Sequence, residues 1–289
     1  MRSALTQEKS SSYEPSAINF HLQETFPREL GGRSAAMVVT LTPIPGIPLV
    51  RPRDDLAELL ILACERQAIS PKEGDVLVLA QKVVSKAEAR YIDLATVVPS
   101  ARAQSLAAEV EKDPRLVEVI LGESRRVVRR RPGILIVEHR LGFVMANAGV
   151  DRSNVDPEAG AEPVLLLPRD PDGSAATLLA RISAHFGKPL AVIISDSWGR
   201  AWRRGTVGVA LGAAGLPAVM DLRGRPDLFG HELRVTETGF ADEIASAASL
   251  LMGQAAEATP AVLVSGLSWS APSMPASALL RPPEEDLFR

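Results

Sequence analysis

Short apolar runs of strand length recur between helix-like segments of this chain, and their irregular order limits the possible folds more than any other feature. Residues 190–195 form a short apolar strand, a composition typical of strands covered on both faces. Strands are also predicted at residues 76–80 and 261–265, and residues 134–138 and 141–145 are predicted to pair. Because strands and helices do not alternate as regular βαβ units, the sequence predicts a mixed α+β fold, not a doubly wound sheet.

Helical periodicity predicts the remaining elements. These helices are predicted at residues 55–67, 101–112, 115–128, 174–186 and 240–252. Ser174 is the predicted N-cap of the fourth helix, because it precedes an apolar stripe of helical spacing. The arginine run at residues 125–131 is interpreted as the solvated end of the helix at 115–128.

Bulk composition excludes several classes of protein. The 289 residues carry a formal net charge of −3, so no net positive field favours a general nucleic-acid surface. No apolar run approaches the roughly 20 residues of a membrane span. Cys64 is the single cysteine and is predicted to be a core thiol, which fits a reducing compartment and a cytoplasmic location.

The first 36 residues differ in character from the rest of the chain. They are polar and show no clear period, and they lack the hydrophobic core of a secretion signal. We interpret residues 1–36 as a disordered extension, with Met37 as an alternative start. Residues 37–289 then form the folded unit, which is long enough for one large domain or two intertwined smaller ones.

Two aspartates are the first candidates for a functional site. Asp151 lies in the loop Asn147-Ala-Gly-Val-Asp-Arg-Ser-Asn154, and Asp196 follows an apolar run in Ser195-Asp-Ser-Trp-Gly-Arg200. Both could be simple turn or cap residues. However, Ser197 adds a hydroxyl of the kind that Mg²⁺ or Mn²⁺ accepts, and Asn147 and Asn154 supply amides able to bind phosphate or base. The sequence therefore predicts a cation site near the end of a strand.

A cluster of arginines follows the second aspartate. Arg200, Arg203 and Arg204 are interleaved with Trp198 and Trp202, and a loop that holds two of the three tryptophans is expected to be partly buried. Buried cations need an anionic partner, although a solvated basic patch is the alternative. Phosphoryl transfer requires carboxylates that hold a metal cation, beside cationic side chains such as arginine that bind the phosphate anion.

Conventional nucleotide motifs are absent. The chain has no P-loop signature, and Gly208, Gly212 and Gly215 do not form a dinucleotide fingerprint but suit close backbone packing. Lys86 follows a predicted strand and could contact phosphate as a point charge, or it could be an ordinary surface lysine.

Six sequence blocks in register resemble the coenzyme F420:L-glutamate ligase family. They comprise residues 74–88, 147–154, 166–174, 195–205, 227–232 and 241–248. The resemblance runs from about residue 38 to the end of the chain. It implies two interleaved subdomains of mixed α+β architecture in an intertwined homodimer, with residues 37–289 as the catalytic unit.

The resemblance also implies an activity. Members of this family join L-glutamate to the carboxylate of the deazaflavin coenzyme F420 precursor through an acyl phosphate, and then extend a γ-linked glutamate tail. They consume GTP and use two divalent cations, Mg²⁺ or Mn²⁺, with K⁺ assisting. Two alternatives stay open: a metal-dependent GTP phosphohydrolase, and a non-catalytic GTP-binding protein.

Matching the blocks to the family transfers individual roles. Metal ligation falls on Asp151, Asp196, Ser197 and Gln254. Arg200, Arg203 and Arg204 are the candidate catalytic cations. The positions implied to contact nucleotide are Ile47, Pro48, Leu49, Val50, Gln81, Lys82, Lys86, Asn154, Met252 and Gly253.

Overall fold

The computed structural model describes residues 18–21, 38–155 and 160–287, with only the backbone of 18–21. Its centre is a mixed sheet. The strands of this sheet are β1 (Ile18–His21), β2 (Val38–Pro43), β3 (Val76–Ala80), β9 (Ala191–Gly199), β10 (Thr206–Ala214) and β13 (Ala261–Ser265). They lie in the order β1-β2-β13-β3-β9-β10, and β3 and β9 are parallel while the other neighbours are antiparallel. The mixed α+β class is thereby confirmed.

Helices cover both faces of the central sheet. They are α1 (Leu56–Arg66), α2 (Gln81–Ala87), α5 (Pro171–Phe186) and α6 (Phe240–Met252). Leu77, Leu79 and Ile194 face the cluster built with α1 and α5, whereas Val78 and Ile193 face the cluster built with α6. Side chains alternate along a strand, so a strand buried on both faces is apolar at every position.

A second group of elements lies between α2 and α5 in the chain. Its helices and strands are α3 (Ala101–Val110), α4 (Pro114–Gly122), β4 (Tyr91–Asp93), β5 (Ser124–Arg131), β6 (Ile134–His139), β7 (Val144–Ala146) and β8 (Pro163–Leu165). Strands β5, β6 and β7 form a small antiparallel sheet, and β4 pairs with β8. Leu106, Ile120 and Leu135 are among the residues of a separate core that this group encloses.

An exposed hairpin extends from the end of the central sheet. Strands β11 (Met220–Asp221) and β12 (Glu237–Thr238) pair at its base. At its tip, the Asp227 carboxylate accepts hydrogen bonds from the backbone N–H groups of Phe229 and His231. We call residues 222–236 the hairpin arm.

Several elements agree with the sequence analysis and three differ. The predicted strands at 76–80 and 261–265 and the helix at 240–252 occur with the predicted bounds. The helix predicted at 115–128 is wrong beyond Gly122, because the arginine run forms strand β5. There Arg126 pairs with Glu138 at 2.7 Å and Arg130 with Glu109 at 2.8 Å, so partners distant in sequence favour the strand.

The other two differences concern α5 and β9. Helix α5 begins at Pro171, and the Asp170 carboxylate caps it by accepting from the Gly173 N–H, so the predicted Ser174 cap is wrong. Proline is preset for the first helical position, which shifts the start upstream. Strand β9 continues beyond Ser195 to Gly199 because it pairs with β10 over this length.

The ends of the chain leave some predictions as they were. Residues Ile18–His21 lie inside the predicted disordered extension and pair with β2 as an edge strand. The rest of residues 1–37 lies outside the described residues, so the extension as a whole stays a prediction, as do the interleaved subdomains and the homodimer.

Within the described ranges, none of the helices combines the length and the hydropathy of a membrane span. Cys64 is buried, as predicted.

Candidate functional site

Asp151 lies beside β8, where its backbone exchanges both hydrogen bonds with Leu165. Three left-handed residues, 147–149, turn the chain just before it. The Asp151 carboxylate contacts the Lys82 ammonium at 2.7 Å and accepts from the Ser153 N–H at 2.7 Å. Burial alone would raise the pKa of Asp151, but hydrogen bonds from Lys82 and Ser153 outweigh it and the pKa lies below its usual value.

Asp196 belongs to the same neighbourhood. It is half-buried within β9, and the burial of its carboxylate raises its pKa to about 6. The positive charge of Lys82 opposes the rise and the negative charge of Asp151 adds to it. Asp196 therefore feels the charges of both Lys82 and Asp151, one positive and one negative.

Ser197 and Gln254 form a second pair on the other face of the sheet. Ser197 follows Asp196 in β9, so its side chain points to the opposite face, towards α6. There the Ser197 hydroxyl donates to the Gln254 amide oxygen over 2.8 Å. Gly253 makes the turn that presents Gln254: its φ is +70°, and an added Cβ would lie 2.1 Å from the Glu257 carboxyl carbon.

The two pairs are joined through neighbouring loops. The Asn154 amide donates to the Ala255 carbonyl oxygen at 3.2 Å, which ties the Asp151 loop to the segment after α6. Met252, at the end of α6, packs against the α6 side of the core. The predicted metal ligands are thus brought together as two pairs, Asp151 with Asp196 and Ser197 with Gln254.

The chemistry of these donors suits hard divalent cations. Two carboxylates, a hydroxyl and an amide oxygen offer the oxygen ligands that Mg²⁺ and Mn²⁺ prefer. Within the described parts of the chain, no three His, Cys, Asp or Glu side chains cluster, so a site rich in histidine or thiolate finds no support there. The raised pKa of Asp196 reflects a buried charge that a bound cation would neutralise.

The predicted nucleotide positions differ in their exposure and contacts. In the loop 47–50, Leu49 is 86% exposed whereas Val50 is buried. Gln81 is buried at the start of α2, and its amide oxygen accepts from the Ser85 hydroxyl at 2.8 Å. Lys82 occupies the next position and reaches Asp151. Lys86 lies near the other end of α2 and is half-buried.

The three arginines differ in their surroundings. Arg200 is half-buried, and its Nη1 atom is buried without a hydrogen-bond partner among the described residues. Arg203 and Arg204 are exposed. The expectation that tryptophans bury this loop holds for Trp198, whose ring lies 5.4 Å from that of Phe143, and is wrong for Trp202, which is 89% exposed. Trp202 lies in the turn that precedes β10, and its side chain is open to solvent there.

Sequence reasoning missed Ser153. Its hydroxyl accepts from the Lys82 ammonium at 2.6 Å and donates to the Asp151 carboxylate at 3.0 Å, so it helps to fix both side chains. An aspartate followed two residues later by serine is typical of a turn closed by the aspartate side chain. That local pattern could have indicated the contact with Asp151, although not the contact with Lys82.

Comparison with known proteins shows which family the chain resembles. The family model described as F420-0:Gamma-glutamyl ligase matches residues 46–266. The coenzyme F420:L-glutamate ligase of Methanothermobacter thermautotrophicus is 46% identical over 255 residues, which is 88% of this chain and 100% of the relative. The ligases of the same name from Methanopyrus kandleri and Archaeoglobus fulgidus are 47% and 44% identical, covering 86% and 88% of this chain and 97% of each relative.

Proposed function

The chain belongs to the F420-0:gamma-glutamyl ligase family, and we propose that it joins L-glutamate to the deazaflavin coenzyme F420 precursor with consumption of GTP. The reaction would pass through an acyl phosphate, and repeated rounds would extend a γ-linked glutamate tail. The observation that carries this proposal is the Lys82–Asp151 ion pair at 2.7 Å, whose two charges both act on the Asp196 carboxylate.

The proposed chemistry begins with an unreactive acid. A free carboxylate is a poor electrophile at neutral pH. Attack of a carboxylate oxygen on the GTP γ-phosphorus forms a C–O–P linkage and releases GDP. The glutamate amine then attacks the acyl carbon, which forms the amide, expels phosphate and releases a proton. Both steps require close positioning and the stabilisation of negative charge.

The residues of the site suit these two requirements. The Lys82 ammonium and the half-buried Arg200 guanidinium are cations near the end of the sheet that could stabilise phosphate oxygens. Asp151, Asp196, Ser197 and Gln254 are the residues that would hold two divalent cations, Mg²⁺ or Mn²⁺. When bound, such cations supply charge neutralisation for the phosphates, and K⁺ is proposed as an assisting ion.

A homodimer is part of the proposal. The hairpin arm exposes Leu228, Phe229 and Val235, with relative exposures of 79%, 86% and 86%. Apolar side chains gathered on one exposed element are typical of an interaction surface. A second copy of the chain is the partner that the family resemblance implies, and light scattering of the purified protein measures it directly. A cytoplasmic location is proposed on the basis of the single, unpaired cysteine.

One assay tests the proposed reaction against its alternatives. The purified protein is incubated with GTP, Mn²⁺, L-glutamate and the deazaflavin acceptor, and the products are analysed by mass spectrometry and for released GDP. Acceptor carrying added glutamyl units supports the ligase. GDP formed at the same rate without acceptor or glutamate would indicate a phosphohydrolase, and GTP binding without turnover would indicate a non-catalytic protein.

A further inference from the structure

A second polar cavity lies apart from the Asp151–Asp196 pair. Its volume is about 360 Å³, within the range of small-molecule sites, and its wall includes Arg90, Glu123, His139, Arg140 and Arg169. The sequence analysis assigned no role to any of these five residues. Three arginines and one glutamate leave the cavity with an excess of positive charge.

Glu123 is the only carboxylate in this wall, and two of the arginines already pair with it. Arg90 Nη2 donates to Glu123 Oε2 at 3.0 Å, and Arg140 Nη2 donates to Glu123 Oε1 at 2.5 Å. Burial favours the neutral acid, but His139 and the charges of Arg90 and Arg140 outweigh it and hold the pKa of Glu123 below its usual value. Glu123 is therefore ionised, and each of its carboxylate oxygens pairs with an arginine.

His139 has a hydrogen-bonding atom that the protein leaves unsatisfied. Its ring is 2% exposed, and Nδ1 accepts from the Leu141 N–H at 2.9 Å. A neutral imidazole that accepts at Nδ1 carries its proton on Nε2. This Nε2 is buried, lies 3.6 Å from Glu123 Oε2, too far for a hydrogen bond, and finds no partner among the described residues. A buried donor without an acceptor is costly unless a ligand supplies one.

Arg169 adds an exposed charge at the edge of the same cavity. Its backbone N–H donates to Glu88, whereas its guanidinium makes no hydrogen bond or ion pair within the described segments. Burial chiefly lowers the pKa of Arg90, and the positive charges of Arg169 and Arg140 lower it further, so both groups lie close enough to repel the Arg90 guanidinium. An anion in the cavity would relieve this repulsion and accept from His139 Nε2.

We infer that this cavity binds an oxyanion, a carboxylate or phosphate group of a substrate, through His139 Nε2, Arg140 and Arg169. The inference rests on the proposed function, because L-glutamate and the acidic acceptor are the substrates besides GTP that carry such groups. Guanidinium groups match the geometry of both oxyanions and bind them strongly when partly desolvated.

The position of the cavity agrees with a role in substrate binding. Leu165 pairs with Asp151 on one side and with Tyr91 of β4 on the other. Arg90 precedes Tyr91 and its Nε donates to the Leu167 carbonyl oxygen at 2.8 Å. Two strand spacings amount to about 10 Å, so the backbone beside Arg90 lies about that far from Asp151, within the length of an extended substrate.

Direct binding measurements test the inference. We choose His139→Asn, because an asparagine oxygen can still accept from the Leu141 N–H while the Nε2 donor is lost, and Arg169→Gln, which removes the charge. Arg102→Gln, an exposed arginine on α3, is the matched control. Isothermal titration calorimetry with L-glutamate and with the acceptor, each in the presence of a non-hydrolysable GTP analogue, reports the affinities.

We expect both variants to bind one of the two oxyanion ligands at least about tenfold more weakly, because each variant loses a hydrogen bond to a charged group. Weaker binding of L-glutamate identifies the free amino acid as the source, and weaker binding of the acceptor alone identifies its acidic end. Arg169→Lys should restore part of the affinity, and affinity for the GTP analogue and thermal stability should match Arg102→Gln.

Affinities of both ligands within about twofold of the unaltered protein in both variants would overturn the inference, as would a parallel loss of affinity for the GTP analogue. Absence of binding of either ligand to the unaltered protein would also overturn it. If the unaltered protein binds an oxyanion ligand here but adds no glutamate, the proposed function fails while the binding site stands.

Discussion

The Lys82 ammonium lies 2.7 Å from the Asp151 carboxylate and joins the two parts of the molecule. Lys82 belongs to α2, directly after the central strand β3, whereas Asp151 pairs with β8 of the inserted group. Asp196, at the end of β9, feels the charges of both. The candidate site is thus assembled where three segments distant in sequence meet.

Replacing Asp196 by Asn should abolish GTP-dependent glutamate addition while leaving the fold intact. The substitution keeps the shape of the side chain but removes the charge that a divalent cation requires. Turnover is measured by mass spectrometry of the glutamylated product, and circular dichroism checks the fold. Glu243→Gln, an exposed acid on α6, is the control, and turnover of Asp196→Asn near that of the control would refute the metal role.

Asp196 should also make the metal-free protein less stable as the pH rises. Its pKa is about 6 in the folded chain against an ordinary 3.8, so the folded state binds this proton more tightly than the unfolded state. The stabilisation that this tighter proton binding supplies is complete below about pH 4 and is lost as the pH rises through about 6. The change in the free energy of unfolding is on the order of 2–3 kcal/mol at most, since a shift of one pKa unit corresponds to about 1.4 kcal/mol.

The corresponding measurement uses urea unfolding in the presence of a chelator. Asp196→Asn should be more stable than the unaltered protein at pH 8, and the difference should shrink towards zero as the pH falls to about 4. Titrating groups that do not interact with Asp196 act equally on both proteins and cancel in the difference. A difference that does not change between pH 4 and pH 8 would contradict the raised pKa of Asp196.

Among the three arginines, Arg200 should matter most. Its Nη1 is buried without a partner among the described residues, whereas Arg203 is exposed. Removing an electrostatic contact made in the transition state typically lowers the rate by about 10²–10³-fold. Arg200→Gln should therefore reduce kcat by about that factor, and Arg203→Gln by less than about tenfold. Equal steady-state kinetics for the two variants would mean that Arg200 is an ordinary surface cation without a catalytic role.

Gly212 should tolerate no side chain. A Cβ there would lie 2.2 Å from the Pro171 carbonyl oxygen, where β10 packs against the start of α5. Gly212→Ala should destabilise the fold by about 1–3 kcal/mol or more, because main-chain atoms cannot move aside cheaply. Gly122→Ala is the control, since its Cβ would meet nothing within 4 Å. Thermal unfolding compares the two, and similar stabilities would mean that β10 and α5 are packed less closely.

Deletion of residues 1–36 should leave glutamate addition unaltered. The only described part of this segment is β1, which lies at the edge of the central sheet, with β2, β13 and β3 between it and β9. Its loss exposes the edge of β2 and should cost some stability without reaching the site. Activity and solubility of the truncated chain are compared with those of the full chain. An inactive or insoluble product would show that the extension contributes to the fold.

Local pattern was sufficient for much of the architecture. The strands at 76–80 and 261–265 and the helix at 240–252 were predicted with their observed bounds, because a continuous apolar run marks a strand buried on both faces and an apolar stripe of helical spacing marks the helix. The same pattern misassigned residues 125–131, whose β-structure depends on Glu109 and Glu138 as partners. It also placed Trp202 inside, although no element covers it.

Patterns along the chain thus indicate the mixed α+β class, the family and the residue types available for the chemistry. Which of these residues meet depends on how the folded elements pack. Lys82 and Ser153 are 71 positions apart, and Arg90 and Glu123 are 33 apart. Such contacts arise when separate elements pack together, and no spacing along the chain encodes them, whereas the period of a strand or helix is written in neighbouring residues.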